Sequence, residues 1–326
     1  MKKRLAGLLA FLCCILLAFS GLTGCGKEER KEEDKKPKIV CTIFPEYDWV
    51  REILGDRAED WDLTLLVGNG VDMHSFQPGV GDIVKISECD LLVYVGGVSD
   101  SWVEDALKNS VNPKQQALNL MALMGTAAKE EEHKEGMEEE KEEDGPELDE
   151  HVFLSLKNAA LFVPEIQKAL AKIDPEHAET YEKNAEAYLL ALSEEDEKYQ
   201  KTVEDADYDT LLFGDRFPFR YLVDDYGLSY YAAFAGCQAE SEASFETIRF
   251  LSEKLDELRL PAVLVLEGSD LRLAETIIEN TKDKDQKILV LDSMQGAGIR
   301  QVESGVTYLS IMEKNREVLK EALTKE

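Results

Sequence analysis

The stretch KIVCTIFPEYDWVREIL, residues 38–54, sets the pattern on which the predicted fold rests. Its first part, Lys38–Phe44, is rich in β-branched residues and stops at Pro45, which predicts a β-strand. Its second part, Tyr47–Leu54, repeats its apolar residues at helical spacing. The stretch is therefore interpreted as a strand followed by a helix.

The same alternation recurs on both sides of residue 173. In the first half, strands are predicted at Leu63–Val67, Leu91–Val95 and Ala117–Met121, and helices at Ile83–Ser87 and Trp102–Leu107. In the second half, the predicted strands are Thr210–Phe213, Leu228–Phe234, Ala262–Leu266 and Ile288–Leu291. The predicted helices there are Arg220–Tyr226, Ser244–Leu258, Leu271–Thr281 and Thr307–Leu323. Strands that alternate with helices indicate mainly parallel sheets.

A long helix is predicted between the two series. After a helix at Asn158–Lys172, Asp174 and Pro175 have the residue types of a cap and a first helical position. An apolar stripe then continues for about 30 residues, roughly 45 Å of helix. The predicted fold class is α/β: two lobes, each a mainly parallel sheet with flanking helices, joined by one long rigid helix. The predicted boundaries are 38–172, 173–206 and 207–326.

The N-terminus has the order of an export signal, predicted at residues 1–24. A positive start precedes an apolar run, and the sequence LTGC at 22–25 resembles a bacterial lipobox. We therefore expect lipidation of Cys25, a charged tether over 25–37, and anchoring to the extracellular face of the bacterial membrane. An ordinary signal peptide with a chance cysteine is the alternative.

The net charge of the chain limits the classes of ligand that it can bind. The net charge of −30 argues against nucleic acid and is compatible with a cation as ligand. Within the first lobe, residues 129–150 hold thirteen Asp or Glu against three Lys. This composition predicts a disordered acidic loop that concentrates cations but is dispensable for stability and for equilibrium affinity.

Three cysteines remain once the signal is removed and Cys25 is lipidated. An odd number does not make a disulfide framework. Cys41 and Cys89 lie in apolar runs and are interpreted as buried thiols, with a bridge between them as the alternative. The three, including Cys237, are not spaced like a metal site.

Two of the four histidines, His74 and His151, lie at positions suited to a binding site. His74 follows a predicted strand, as do Asp215 and Asp292, and ligands of open α/β sheets gather at carboxyl ends of strands. Imidazole and carboxylate together suit zinc or manganese. His133 and His177 are interpreted as ordinary surface or core residues.

Motifs around these histidines resemble a known family. GVDMHSFQP at 70–78 resembles Gly-x-Asp-x-His-x-(Phe/Tyr)-(Glu/Gln)-Pro, and DEHVFLSLKNA at 149–159 resembles Asp-Pro-His-x-Trp-Leu-Ser-Pro-x-Asn-Ala. LDSM at 291–294, with YLSIMEKN at 308–315, resembles the C-terminal block. The chain is similar to the metal-binding lipoproteins of bacterial zinc and manganese ABC importers, the cluster A-I solute-binding family, from Ile39 to Leu323.

The resemblance implies a metal held between two lobes. His74 and His151 would be ligands from the first lobe, and Asp292 the carboxylate from the second. The family's third ligand position falls on Gly214, which has no side chain.

Neighbouring residues offer substitutes for that missing ligand. Asp215 is expected as the fourth donor, and Glu240 or Glu242 are alternatives. In a different interpretation, Arg216 neutralises a carboxylate.

The resemblance implies a binding protein and not an enzyme. We expect a monomeric extracellular lipoprotein that captures a divalent metal as cargo, Zn²⁺ favoured and Mn²⁺ next, and delivers it to an ABC transporter permease. The membrane would be contacted through the lipid. A receptor for a metal chelate or an adhesin-like lipoprotein is the alternative. A secreted metal-dependent hydrolase is disfavoured, because no His-Glu-x-x-His, Ser-x-x-Lys or Gly-x-Ser-x-Gly motif is present.

Overall fold

The computed structural model describes residues 36–68, 70–138, 147–236 and 242–325. Residues 1–35, with the predicted signal, Cys25 and most of the tether, lie outside the described residues. The described strands are β1 Lys38–Cys41, β2 Asp62–Leu65, β3 Leu91–Tyr94, β4 Gln116–Asn119, β5 Thr210–Phe217, β6 Ser229–Ala235, β7 Ala262–Leu266 and β8 Lys287–Leu291. They form two four-stranded sheets, ordered β2-β1-β3-β4 and β6-β5-β7-β8, in which the paired strands are parallel. The predicted two-lobed α/β class is confirmed.

Helices connect and flank these strands. They are α1 Phe44–Leu54, α2 Val80–Glu88, α3 Val103–Lys108, α4 Leu120–Met124, α5 Leu156–Ile173, α6 Ala178–Glu204, α7 Arg220–Tyr226, α8 Phe245–Leu258, α9 Arg272–Glu279, α10 Ile299–Glu303 and α11 Tyr308–Leu323. Of these, α4 and α10 were not predicted, and α4 begins within the strand predicted at Ala117–Met121, which ends at Asn119. None of the helices in the described part of the chain has the length and apolar character needed to cross a bilayer.

The first strand is shorter than predicted, because helix α1 begins early. Pro45 lies in the first turn of α1, whereas β1 already ends at Cys41. A first-turn proline has no N–H to donate, and the N–H groups there lack helical partners in any case. The buried Glu46 carboxylate accepts hydrogen bonds from the backbone N–H groups of Thr42 and Ile43 at 2.8 and 3.2 Å, which fixes the turn.

The long helix α6 links the lobes, as predicted. Its 27 residues span about 40 Å. It buries one face, made of Tyr181, Ala185, Tyr188, Leu192, Glu195 and Tyr199. A separate 3₁₀ turn, Pro175–His177, precedes it, and Asp174 does not cap the backbone. The Asp174 carboxylate instead accepts from the His177 ring at 2.8 Å and from the Tyr181 hydroxyl at 2.6 Å.

One hydrophobic core runs through both lobes. Trp49 of α1 packs edge-on against Tyr308 of α11, with ring centroids 5.2 Å apart, and Phe162 of α5 lies 5.8 Å from Trp49. Side chains of this size contribute about 1.5–3 kcal/mol each when buried. The Tyr308 backbone N–H donates to Asp48 at 2.8 Å, and its hydroxyl donates to the carbonyl of Phe153 at 2.9 Å. The lobes are therefore packed together without a solvent-filled hinge at this point.

The acidic segment differs from the prediction. Residues 129–138, which we call the strap, lie against the second lobe: Lys129 pairs with Asp224, and Glu132 pairs with Arg220 at 3.0 Å. The Lys134 ammonium lies 3.8 Å from the centroid of the Tyr230 ring. Complementary charge thus orders the strap, and the prediction of a disordered loop is wrong for these residues. Residues 139–146 lie outside the described residues.

The two described thiols are buried and free. Burial raises the pKa of Cys41 well above its usual range and that of Cys89 to about 11. The alternative of a Cys41–Cys89 bridge is therefore wrong. Cys237 lies outside the described residues.

Asp48 should make the stability of the protein fall as the pH rises. It is fully buried, one of its oxygens has no hydrogen-bond partner among the described residues, and burial raises its pKa to about 7. A carboxyl whose pKa is higher in the folded state loses its stabilising contribution as pH rises from about 4 to about 7. Asp48→Asn keeps an acceptor for the Tyr308 N–H and cannot ionise. We expect its unfolding free energy, relative to wild type, to gain about 1–3 kcal/mol across that window.

Urea unfolding at pH 5, 6, 7 and 8 measures this difference. The exposed Asp283→Asn variant is the control and should track the wild type at every pH. A difference between Asp48→Asn and wild type that is the same at pH 5 and pH 8 would show that Asp48 does not titrate in the folded core.

Deleting Lys129–Gly145 should destabilise the protein. The deletion removes the two strap ion pairs and the buried Met137 side chain. Such partly exposed pairs contribute up to about 1 kcal/mol each, and we expect a total loss of about 1–3 kcal/mol. Thermal and urea unfolding measure it, with Glu139→Gln/Glu140→Gln/Glu142→Gln, which removes three negative charges outside the strap, as the control. Equal stability of the deletion and the wild type would return the segment to the status of a dispensable loop.

Candidate metal site

The first histidine, His74, lies in a 3₁₀ turn, Met73–Ser75, on the loop after β2. Asp72 caps this turn by accepting from the His74 backbone N–H at 2.9 Å. The other Asp72 oxygen pairs with Arg216 of β5 at 2.8 Å. Burial alone would raise the pKa of Asp72, but the Arg216 charge and the His74 amide outweigh it and hold that pKa below its ordinary value. The turn that carries His74 is thereby tied to the second lobe.

The second histidine, His151, is fully buried just before the turn Val152–Leu154 that leads into α5. The Asp149 carboxylate oxygen accepts from the His151 backbone N–H at 2.8 Å and lies 3.0 Å from its ring Nδ1. With Nδ1–H donating to this carboxylate, the Nε2 atom presents its lone pair away from Asp149. Metal-binding histidines in proteins are commonly oriented in this way.

The two imidazoles meet at their Nε2 atoms. The distance between His74 Nε2 and His151 Nε2 is 3.0 Å, and the His74 Nδ1 lies 2.8 Å from the Ser99 hydroxyl. Two imidazoles on one tetrahedral zinc, at ~2.0–2.1 Å each, place their nitrogens about 3.3–3.4 Å apart. Moving the two rings apart by a few tenths of an ångström would therefore make room for the ion.

The charge state of His74 suits a metal ligand. Burial, together with the positive charges that His151 and Arg216 can carry, lowers the pKa of His74 to about 3. The ring is therefore neutral at physiological pH, as an imidazole must be to bind a metal.

A third polar group faces this pair from the second lobe. Gln295 is buried on the loop after β8. When its amide nitrogen donates to Asp72 at 3.1 Å, its amide oxygen lies 3.0 Å from His151 Nε2. When both ring Nδ1 atoms act as donors, two nitrogen lone pairs and an amide oxygen converge. Only a proton or a cation between them relieves that repulsion.

Asp215 and Asp292 do not complete this cluster. Asp215 accepts from the Leu266 backbone N–H at 3.0 Å and from the Ser269 hydroxyl at 2.7 Å, which fixes the loop after β7. Asp292 accepts from the Met294 backbone N–H at 2.8 Å. Within the described ranges, no group of three or more His, Cys, Asp or Glu side chains could hold a metal. The structure thus brings His74 and His151 together and leaves both aspartates outside a joint set.

Packing explains why position 214 has no side chain. A Cβ added to Gly214 would lie 3.0 Å from the Ala274 Cα and 3.0 Å from a Val263 methyl, inside the second lobe. The described Glu242 is exposed and interacts electrostatically with Arg272, whereas Glu240 lies outside the described residues. The interpretation of Arg216 as the partner of a carboxylate is confirmed, and that carboxylate is Asp72.

The cleft beside the pair is lined by both lobes. A cavity of about 330 Å³ has Gly70 and Asp72 on one side and Arg216, Glu267 and Gln295 on the other. The Gly70 backbone N–H donates across the cleft to the carbonyl of Gly296 at 3.1 Å. Burial and the neighbouring Asp292 charge raise the pKa of Glu267. Gln295 was not predicted as a site residue, although its place on the loop after a parallel strand was a usable signal.

Comparison with known proteins identifies the family. The family described as zinc-uptake complex component A, periplasmic, matches residues 39–322. This chain belongs to that family. Membership of the zinc-uptake component A family confirms the resemblance seen in the two histidine motifs. The family consists of metal-binding solute receptors, so the protein is not an enzyme and the hydrolase alternative is wrong.

Relatives in this family cover the chain almost completely. The zinc-binding lipoprotein AdcA of Streptococcus pneumoniae is 29% identical over 328 residues, which are 99% of this chain and 62% of the relative. The chain therefore spans about three fifths of that streptococcal protein. The high-affinity zinc uptake system protein ZnuA of Bacillus subtilis is 28% identical over 334 residues, 99% of each.

Solved structures share the fold. The metal-dependent lipoprotein YcdH of Bacillus subtilis superposes with a TM-score of 0.72 at 26% identity, over 89% of this chain and all of that one. The Zn(II)-bound ZnuA-like domain of Streptococcus pneumoniae AdcA gives a TM-score of 0.70 at 26% identity, with the same coverage.

Proposed function

We propose that this protein captures Zn²⁺ outside the cell and delivers it to the permease of an ABC importer. The observation that carries the proposal is the pair of largely buried imidazoles whose Nε2 atoms lie 3.0 Å apart. Their Nδ1 atoms lie within hydrogen-bond distance of Ser99 and Asp149. The names of the AdcA and ZnuA relatives, which refer to zinc, support the choice of cargo.

The proposed ligands are His74 and His151 from the first lobe and Asp292 from the second. Asp292 and Gln295 lie on one loop, and Met294 between them has a φ of +61°, a strained value for a residue with a side chain. A change in the backbone conformation of Met294 would alter whether the side chain of Asp292 or that of Gln295 faces the imidazoles. Asp215 as a fourth donor would have to release Ser269 and the Leu266 N–H.

Zinc is the favoured cargo and manganese the second. Two imidazoles are borderline ligands that suit zinc, whereas manganese prefers a shell richer in oxygen. Asp292, Asp215 and the Gln295 amide would supply such oxygens, which keeps manganese as a weaker alternative.

We further propose that the protein acts as a monomer held at the extracellular face of the membrane by lipid on Cys25. The sequence LTGC at 22–25 supports the anchor, and the AdcA relative is named a lipoprotein.

Substitution of the proposed ligands tests the site. We expect His74→Ala and His151→Ala each to weaken zinc binding by at least about 100-fold, beyond the ~10–100-fold typical of losing an outer-shell partner. Asp292→Ala should weaken it strongly, and Asp215→Ala should weaken it or shift the preference toward zinc over manganese. Calorimetry with both metals measures these changes. His177→Ala, which removes a histidine outside the site, is the matched control, and wild-type zinc affinity in His74→Ala would refute the site.

The anchor is tested by Cys25→Ala expressed in a bacterial host. We expect the variant to be released into the medium or to retain its signal, because no thiol remains to be acylated. Metabolic labelling with radioactive palmitate gives the readout, and label retained on Cys25→Ala would overturn the lipobox interpretation.

A further inference from the structure

A departure from the family motif draws attention to Glu150. The motif resembled by residues 149–159 begins Asp-Pro-His, and this chain has Asp149-Glu150-His151. Glu150 is 2% exposed. A buried carboxylate is destabilising by several kcal/mol unless polar groups surround it, on the order of the penalties seen for buried ions. Its presence beside a proposed ligand therefore needs a physical reason.

One oxygen of Glu150 is held by the loop after β3. The Ser99 backbone N–H donates to Oε1 at 3.0 Å. Gly97 has a φ of +77°, and a Cβ at that residue would lie 2.3 Å from the same oxygen. The glycine thus leaves the space that the carboxylate fills, and the loop fits around it.

The other oxygen faces the metal site. Glu150 Oε2 is buried without a hydrogen-bond partner among the described residues. It lies 3.6 Å from the Nδ1 atom of His74. A shift of about 0.7–0.9 Å would bring the two atoms to the ~2.7–2.9 Å of a charge-assisted hydrogen bond. The Ser99 hydroxyl already lies 2.8 Å from that Nδ1.

We propose that Glu150 is the positioning carboxylate of His74, the counterpart of Asp149 behind His151, and that it strengthens zinc binding in place of the imidazole missing at Gly214. This inference rests on the proposed function. A cation on Nε2 draws electrons from the ring and makes Nδ1–H a stronger donor, so a carboxylate there is favoured more with metal than without it. The added negative charge near the ion also offsets part of the lost ligand.

The charge of nearby Asp100 also favours the Glu150 carboxylate more strongly when metal is bound. Asp100, which follows Ser99 on the loop after β3, is buried and accepts from the Gly96 backbone N–H at 3.1 Å. Two carboxyl groups packed in one region repel each other when ionised. A zinc ion beyond His74 relieves that repulsion, which makes the Glu150 position better suited to the metal-bound state.

The test compares Glu150→Gln with the exposed Glu147→Gln as charge-matched control. Zinc affinity is measured by competition with a fluorescent chelator on the full mature chain, with His74→Ala alongside. Glu150→Gln keeps the volume and the acceptor for the Ser99 N–H. We expect it to bind zinc about 10–100-fold more weakly, as for other outer-shell partners, while Glu147→Gln binds like wild type.

Two further readouts separate positioning from a structural role. The melting temperature of metal-free Glu150→Gln should equal or exceed that of the wild type, because a buried negative charge is removed. Nitrogen-15 NMR of the zinc-bound wild type should show a slowly exchanging His74 Nδ1–H that is lost in Glu150→Gln, whereas Glu150→Asp should recover part of the affinity.

The outcomes distinguish this inference from the proposed function. Tight zinc binding by wild type, its loss in His74→Ala, and wild-type affinity in Glu150→Gln would overturn the role of Glu150 alone. A lower metal-free melting temperature with unchanged zinc affinity would also overturn it. Failure of the wild type to bind zinc would overturn both.

Discussion

The packing of Tyr308 against Trp49 is the contact on which the rest of the arrangement depends. It places the last helix of the second lobe in the core of the first, at a ring distance of 5.2 Å. The Tyr308 hydroxyl also binds the carbonyl of Phe153, two residues after His151. The position of one proposed ligand is therefore set by the shared core and by the neighbouring Asp149, so the imidazole pair is preorganised by the same contacts that stabilise the fold.

The sequence was sufficient for those elements whose periodicity is local. The strand Ala262–Leu266 and the helix Arg220–Tyr226 were predicted residue for residue. Predictions failed where a distant partner decides the structure. The strap has the composition of a disordered segment, but it is ordered by Arg220 and Tyr230, about 90 residues further along the chain. The interpretation of Pro45 as the end of a strand was wrong for a local reason, since a proline can begin a helix as well as end a strand.

The site was predictable to the extent that motifs record it. His74 and His151 stand in two specific blocks, and the structure places their rings together. Gln295 has no motif, and an amide becomes a candidate donor only when its neighbours are known. The loss of a side chain at Gly214 is likewise explained by tertiary packing, because Ala274 and Val263 fill the space that a Cβ would need.

The strap has a consequence for how the chain can be divided. It belongs in sequence to the first half, yet its side chains rest on the second half, while α11 of the second half completes the core of the first. Each half therefore contributes to the other: α11 completes the core of the first half, and the strap covers part of the surface of the second. A fragment that ends at α6 would lack Tyr308 and would expose the part of its core against which Tyr308 packs. The complementary fragment would lack the strap that covers Tyr230. Such a molecule is poorly suited to modular exchange of its lobes.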